Sequence, residues 1–222
     1  MPVEESNRVE SELVKTVAIS LITSFITLIA LYYLRLRTVQ DFLPKYGFFL
    51  FFAILSYALI VPAIRQVRAY KQFACMTGMM IGMTLGMMSG FLSGYLVGAT
   101  NGMFVGGVFG MIVGITFGAW MGGCCCGIIG YMEGIMAGFM GGLMGAMTAV
   151  MLLNDHLKAA TIIVFIASAA IMLGLNYMIY REMKQESRKR HESQMWTIAL
   201  SFLLTIITTW IIVFGPRSGL FN

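Results

Sequence analysis

The sequence predicts an all-α, polytopic integral membrane bundle of about seven helices, on three observations. The first is the apolar balance. Of 222 residues, 59% are hydrophobic and 11% charged, against roughly 25% charged in an ordinary globular chain. The second is that the apolar residues fall in uncharged runs of about 20, the length a helix needs to cross a hydrocarbon core of about 30 Å. The third is a rhythm. From Gly78 a glycine stands at every fourth position as far as Gly122; the next place holds Cys126, and glycine resumes from Gly130 to Gly142. In lipid, small residues four apart let helix backbones approach closely where no water drives association.

The chain is expected to be one membrane domain. Residues 1–13 carry Glu4, Glu5, Glu10 and Glu12 and form an acidic N-terminal tail. This start lacks the basic n-region and small-residue cleavage site of a secretory signal, so the first apolar run is kept as a span. Two peripheral spans follow within residues 14–71. The first, 14–34, ends in the interface aromatics Tyr32 and Tyr33. The second, 47–64, is short for a crossing, and Arg65, Arg68 and Lys71 after it share a helical face from which they can snorkel. A linker over 38–46 separates the two.

Residues 72–153 are the Gly/Met-rich repeat core. At 1.5 Å per residue this block fits three crossings of about 20–26 residues. The polar gap Ala99-Thr100-Asn101-Gly102 marks the first joint, and Gly122-Gly123 leading into Cys124-Cys125-Cys126-Gly127 the second. The spans are therefore placed at 73–98, 103–121 and 127–153. Residues 154–159 are a polar turn, in which Asp155 and His156 read as helix caps. The last two spans, 160–180 and 196–214, flank a basic loop over 181–192.

Seven spans with the N-terminus in the cytoplasm put ten basic residues inside. They are Arg8, Lys15, Arg65, Arg68, Lys71, Arg181, Lys184, Arg188, Lys189 and Arg190, against five outside. The positive-inside rule thus orients the chain N-in and C-out. The net charge of +5 is accounted for by these helix-end residues, and no basic stripe interleaved with aromatics points to nucleic acid. The expected surroundings are a lipid bilayer and a homo-oligomer or partner membrane subunit.

Each four-residue step advances the glycine about 40° around a helix of 3.6 residues per turn. The row therefore meets more than one neighbour, or follows a right-handed crossing. The three repeat helices are expected at the centre, with spans one, two and seven as a lipid-facing jacket.

Methionine is the second signal. Met132, Met136 and Met140 recur every four residues, continuing to Met144, and Met79 and Met83 lie on the third span. Thioethers are soft ligands suited to Cu(I), and methionine equally fills irregular gaps beside glycine. On the N-in topology Cys75, Cys124, Cys125 and Cys126 share the cytoplasmic level, where thiols stay free. Thiolates at the mouth of a methionine ladder suit capture of a soft metal. Glu133 is an acid inside a span, a position that marks ion or proton passage.

Met132-x-x-x-Met136 beside Gly130-x-x-x-Gly134 resembles the pairing of such motifs in copper-uptake channels. Those proteins have three spans and a methionine-rich exterior tail that this chain lacks, and the resemblance covers one helix. The glycine- and methionine-rich block also resembles those of bacterial membrane proteins, which implies the cell membrane. HExxH, GxSxG and a phosphate loop with its lysine are all missing. Leu92-Ser93-Gly94 has no histidine on a nearby span, since His156 and His191 lie in loops, so no enzyme is expected. Two functions remain: handling or conduction of a small cation, Cu(I) in its specific form, or a structural and assembly role through the glycine ridges.

Overall fold

A computed structural model describes residues 2–34, 42–69, 75–153, 155–182 and 194–216. The 70–74 segment, most of the basic loop, Asn154 and the end from 217 lie outside the described residues, as does the 35–41 part of the first connection. The helices are α1 (Pro2–Leu34), α2 (Phe42–Ala69), α3 (Cys75–Asn101), α4 (Met103–Met151), α5 (Leu157–Glu182) and α6 (Gln194–Phe214). Helical geometry runs through α4, but Gly127 adopts φ +66° and folds it into two antiparallel arms. These are α4a (Met103–Cys125) and α4b (Gly127–Met151), which brings the helices long and apolar enough to span a membrane to seven among the described residues. The chain is an integral membrane protein by that count.

The boundaries differ from expectation in two places. α1 begins at Pro2, where proline's fixed φ suits a first turn. Its 33 residues make a helix of about 50 Å, so the acidic tail continues the span as helix. α2 is longer than its apolar run, with a span of Tyr46–Arg68, because aromatic and arginine ends extend it on both sides. Pro62 lies within it, tolerated because a helix in lipid has no competing water.

The three repeat helices meet backbone to backbone. A methyl group placed on Gly82 would stand 2.7 Å from Cα of Gly122, and one on Gly86 2.9 Å from both Cα of Gly118 and the carbonyl oxygen of Gly134. A methyl on Gly114 would stand 2.7 Å from the Gly138 oxygen and 2.9 Å from Cα of Gly90. One on Gly110 would stand 2.7 Å from Cα of Gly94 and 2.9 Å from Cα of Gly142. At the far end Gly98 meets Gly106 and Ala146. The contacts form five layers, 82/122/130, 86/118/134, 90/114/138, 94/110/142 and 98/106/146, spaced about 6 Å apart.

Within these layers α3 and α4a run antiparallel with residue numbers summing to 204, and α4a and α4b antiparallel with numbers summing to 252. Reversal about position 102 or 126, themselves members of the four-residue series, maps the series onto itself. That is why the glycine phase is kept across both joints. The turning positions belong to no layer. Gly102 is glycine for its φ of +106°, whereas position 126 accepts a cysteine. A second small-residue row, Ala137, Gly141, Gly145 and Ala149, is also buried. Gly141 meets the Met87 backbone and Gly145 the Phe91 backbone.

The jacket is one-sided. α2 packs on α1, α3, α5 and α6, and α3 also touches α5 and α6. α4 packs extensively on α3 alone. Span two, expected at the periphery, is the most enclosed of the seven, with Ile54, Ile60, Val61, Ala63 and Ile64 all but inaccessible. The two arms of α4, expected at the centre, instead form one flank, inward by their glycines and outward by their large side chains.

Three alanine substitutions separate the causes. Gly114→Ala is expected to destabilise by about 1–3 kcal/mol or more, since the obstacle is backbone. Gly174→Ala, where an added methyl meets nothing within 4 Å, is expected to be neutral or stabilising by up to about 1 kcal/mol. Gly127→Ala has equal room, but its positive φ costs about 1–2 kcal/mol. Thermal midpoints of the purified variants in one detergent check the order.

Candidate functional site

The residues singled out in the sequence are not brought together. Met132, Met136 and Met140 stand on the outer face of α4b, 59%, 68% and 55% exposed, and Met144, Met147 and Met151 extend the row. The geometry requires it, because each methionine of the period-four row lies two residues after a layer glycine. Two residues are about 200° of helix, so glycine inside means methionine outside. On α3, Met83 is exposed and Met79 half-buried. Glu133 is half-buried on α4b one position before Gly134, with no side-chain partner among the described residues.

The thiols also differ from expectation. Cys75 is disulfide-bonded, so the reading of four free thiols is corrected there: a sulfur committed to another sulfur is no metal ligand. Cys124 and Cys125 are free, the first exposed and the second half-buried, and the side chain of Cys126 lies outside the described residues. Among the described residues no group of three His, Cys, Asp or Glu side chains is placed to hold a metal ion. His156, in the turn before α5, has φ +39°, accepts a bond from Ala160 N at 3.0 Å through its carbonyl, and lies 3.9 Å from Asp155 at an exposed site.

Two clusters escaped the sequence reading. The first joins three helix ends. The Arg68 guanidinium lies 4.2 Å from the Trp196 ring centroid and 5.3 Å from that of Trp120, and the two indoles are 5.0 Å apart. A half-buried cation over the indole rings ties the ends of α2 and α4a to the start of α6.

The second is a hydroxyl seam. On α1, Thr16, Ser20, Ser24 and Thr27 are buried; on α6, Thr197, Ser201, Thr205, Thr208 and Thr209 are buried. They meet across the interface. Thr23 and Ser201 are 3.1 Å apart, Thr205 donates to Ser24 at 3.2 Å, and Arg65 donates to Thr16 at 2.7 Å. Tyr57 of α2 bonds Thr208. Farther along α6, Asn101 donates to the Ile211 carbonyl at 2.6 Å. The signal was available in the four-residue spacing Thr16-Ser20-Ser24 and Thr197-Ser201-Thr205, the same spacing that reveals the glycines. Outside the seam, α1 and α2 frame an apolar groove of about 610 Å³ lined by Phe25, Tyr32, Leu50 and Phe51 among others.

No protein-family model, curated protein or solved structure matches the chain.

Arg68→Gln is expected to lower the unfolding free energy by about 1 kcal/mol through loss of the stacked cation. Arg68→Lys should recover only part of it, because an ammonium lacks the planar face that stacks on indole. Denaturation followed by tryptophan fluorescence reads both the stability and the indole environment.

Proposed function

We propose that this chain is a structural membrane protein that works by assembly, and that its partner surface is the methionine face of α4b. The observation that carries this reading is the closure of the glycine layers. With backbones separated by less than a methyl group at five successive levels, the repeat block leaves no room for a conduit. A cation path through it is unsupported, and the reading includes no enzymatic step.

The occupant we favour is a second copy. The exposed row Met132, Met136, Met140 and Met144 extends over most of α4b at a spacing of four residues. A ridge of that spacing packs against another of the same spacing, and an identical chain supplies one across a two-fold axis. Unbranched thioethers adapt to such a surface at little steric cost. The other faces exposed by α1, α5 and α6 are mostly Ile, Leu and Phe, as lipid contact alone asks. The N-in orientation belongs to the same proposal and rests on the basic residues at the Arg68 end.

Met136→Cys and Met140→Cys, in a Cys124→Ser/Cys125→Ser chain oxidised in its native membrane, are expected to give a cross-linked dimer of this protein, and Ile166→Cys on α5 none. A monomer throughout would overturn the assembly reading. A cross-link to a different chain would overturn the choice of occupant.

Titration with Cu(I) separates packing from ligation on the same face. The expected outcome is no stoichiometric binding by the purified protein. Binding that disappears in Met132→Leu/Met136→Leu/Met140→Leu would restore soft-metal handling as the function.

A further inference from the structure

We propose that the hydroxyl seam between α1, α2 and α6 is a hydrated path, a file of water-binding positions entered from the Arg65 end. This inference is independent of the assembly reading and draws on different helices.

The extent is the first argument. From Thr197 to Ile211, whose carbonyl meets Asn101, the polar positions span about 21 Å of α6, within a hydrocarbon core of about 30 Å. A hydroxyl zipper that only holds helices together is the plain alternative. It accounts for Thr205 and Ser24, which bond each other, and for the hydroxyls that bond the carbonyl one turn back.

It does not account for Ser20. The Ser20 hydroxyl is fully buried. Among the described residues it has no hydrogen-bond partner, and neither does Oδ1 of Asn101. Ser20 shares its helical face with Thr16 and Ser24, four residues to either side, whose hydroxyls meet Arg65 and Thr205. It therefore points into the seam. Buried polar groups are costly unless bonded, and an ordered water with two to four polar neighbours is the usual solution.

The lining selects the occupant. Arg65 is held at the mouth by Thr16, and a fixed positive charge at a constriction disfavours cations. The seam residues named here include no carboxylate or imidazole to hold a proton or a metal ion. Water and small neutral polar solutes fit that chemistry.

Accessibility to a small neutral hydrophilic thiol reagent such as iodoacetamide tests the path in full-length protein reconstituted in liposomes, with Cys124→Ser and Cys125→Ser. Ser20→Cys and Thr205→Cys are expected to react at least about tenfold faster than lipid-facing Ile22→Cys, the margin that one unit of thiol ionisation gives. Equal slow reaction at Ser20→Cys, Thr205→Cys and Ile22→Cys, with Thr16→Cys at the mouth reacting fast, would overturn it. Ser20→Ala supplies a second reading on the thermal midpoint. If Ser20 binds water, the midpoint falls; if the seam is dry, removal of an unpartnered hydroxyl leaves it unchanged or raises it, and the proposal fails.

Discussion

Everything in the repeat block depends on the absence of a side chain at the contact between backbones. Hydrophobic burial does little to bring helices together where lipid tails are as apolar as leucine, so association has to come from close packing and hydrogen bonds. Glycine gives the closest packing available. It also removes side-chain ordering from the entropic cost of docking. The usual cost of glycine, a loosened helix, is reduced in lipid because an unfolded backbone has nowhere to place its polar groups. The five layers are therefore a solution to a solvent problem, and the same residues in water would make a poor helix.

That solution fixes where the remaining side chains go. A helix that spends its inner face on glycine has all its bulk on the other face, so α4b carries methionine outward because its glycines point inward. α3 is shared, meeting both arms of α4 through its glycines and α2, α5 and α6 through residues such as Leu92, Tyr95 and Leu96, which are buried. The molecule thus has two halves with different adhesives. One is backbone on backbone. The other is an apolar core around α2 with a hydroxyl seam between α1 and α6, and Tyr95 of α3 separately lies 3.2 Å from Thr161 of α5. No ligand need be invoked to place the methionines, and this weighs the exposed row toward packing.

Much of the fold was legible in the sequence. The seven spans, both joints and the glycine row follow from hydropathy and spacing, since lipid leaves helices as the form that satisfies every backbone group in such a chain. The sidedness was not legible. Glycine content suggested that the repeat helices lie innermost, whereas the enclosed helix is α2, whose aromatic and aliphatic residues read equally well as lipid-facing. Hydrophobicity does not distinguish a side chain against lipid from one against protein when both neighbours are apolar. The candidate site was legible only as a set of residue types. Met132 and Glu133 were placed on the right helix, but which face they occupy depends on what the glycines meet. The hydroxyl seam was missed because serine and threonine in a span look incidental one at a time, and that two such four-residue rows face each other shows only once the helices are packed.

A repeat this regular raises a question of register. A slide of four residues, about 6 Å, would exchange one set of glycine layers for another with the same chemistry. The layers alone do not choose. The choice falls to the irregular contacts at their margins. The turn at Gly102 and the reversal at Gly127 fix both arms of α4 by chain length, since neither leaves slack for a shift. Gly141 against Met87 and Gly145 against Phe91 add a row whose flanking Ala137 and Ala149 are not interchangeable with glycine. Ala146 ends the glycine series, so a shift that carried it inward would set its methyl against backbone. Asn101 pins the Gly102 end of α3 to α6 through Ile211. The repeat supplies closeness, and the exceptions to the repeat supply position.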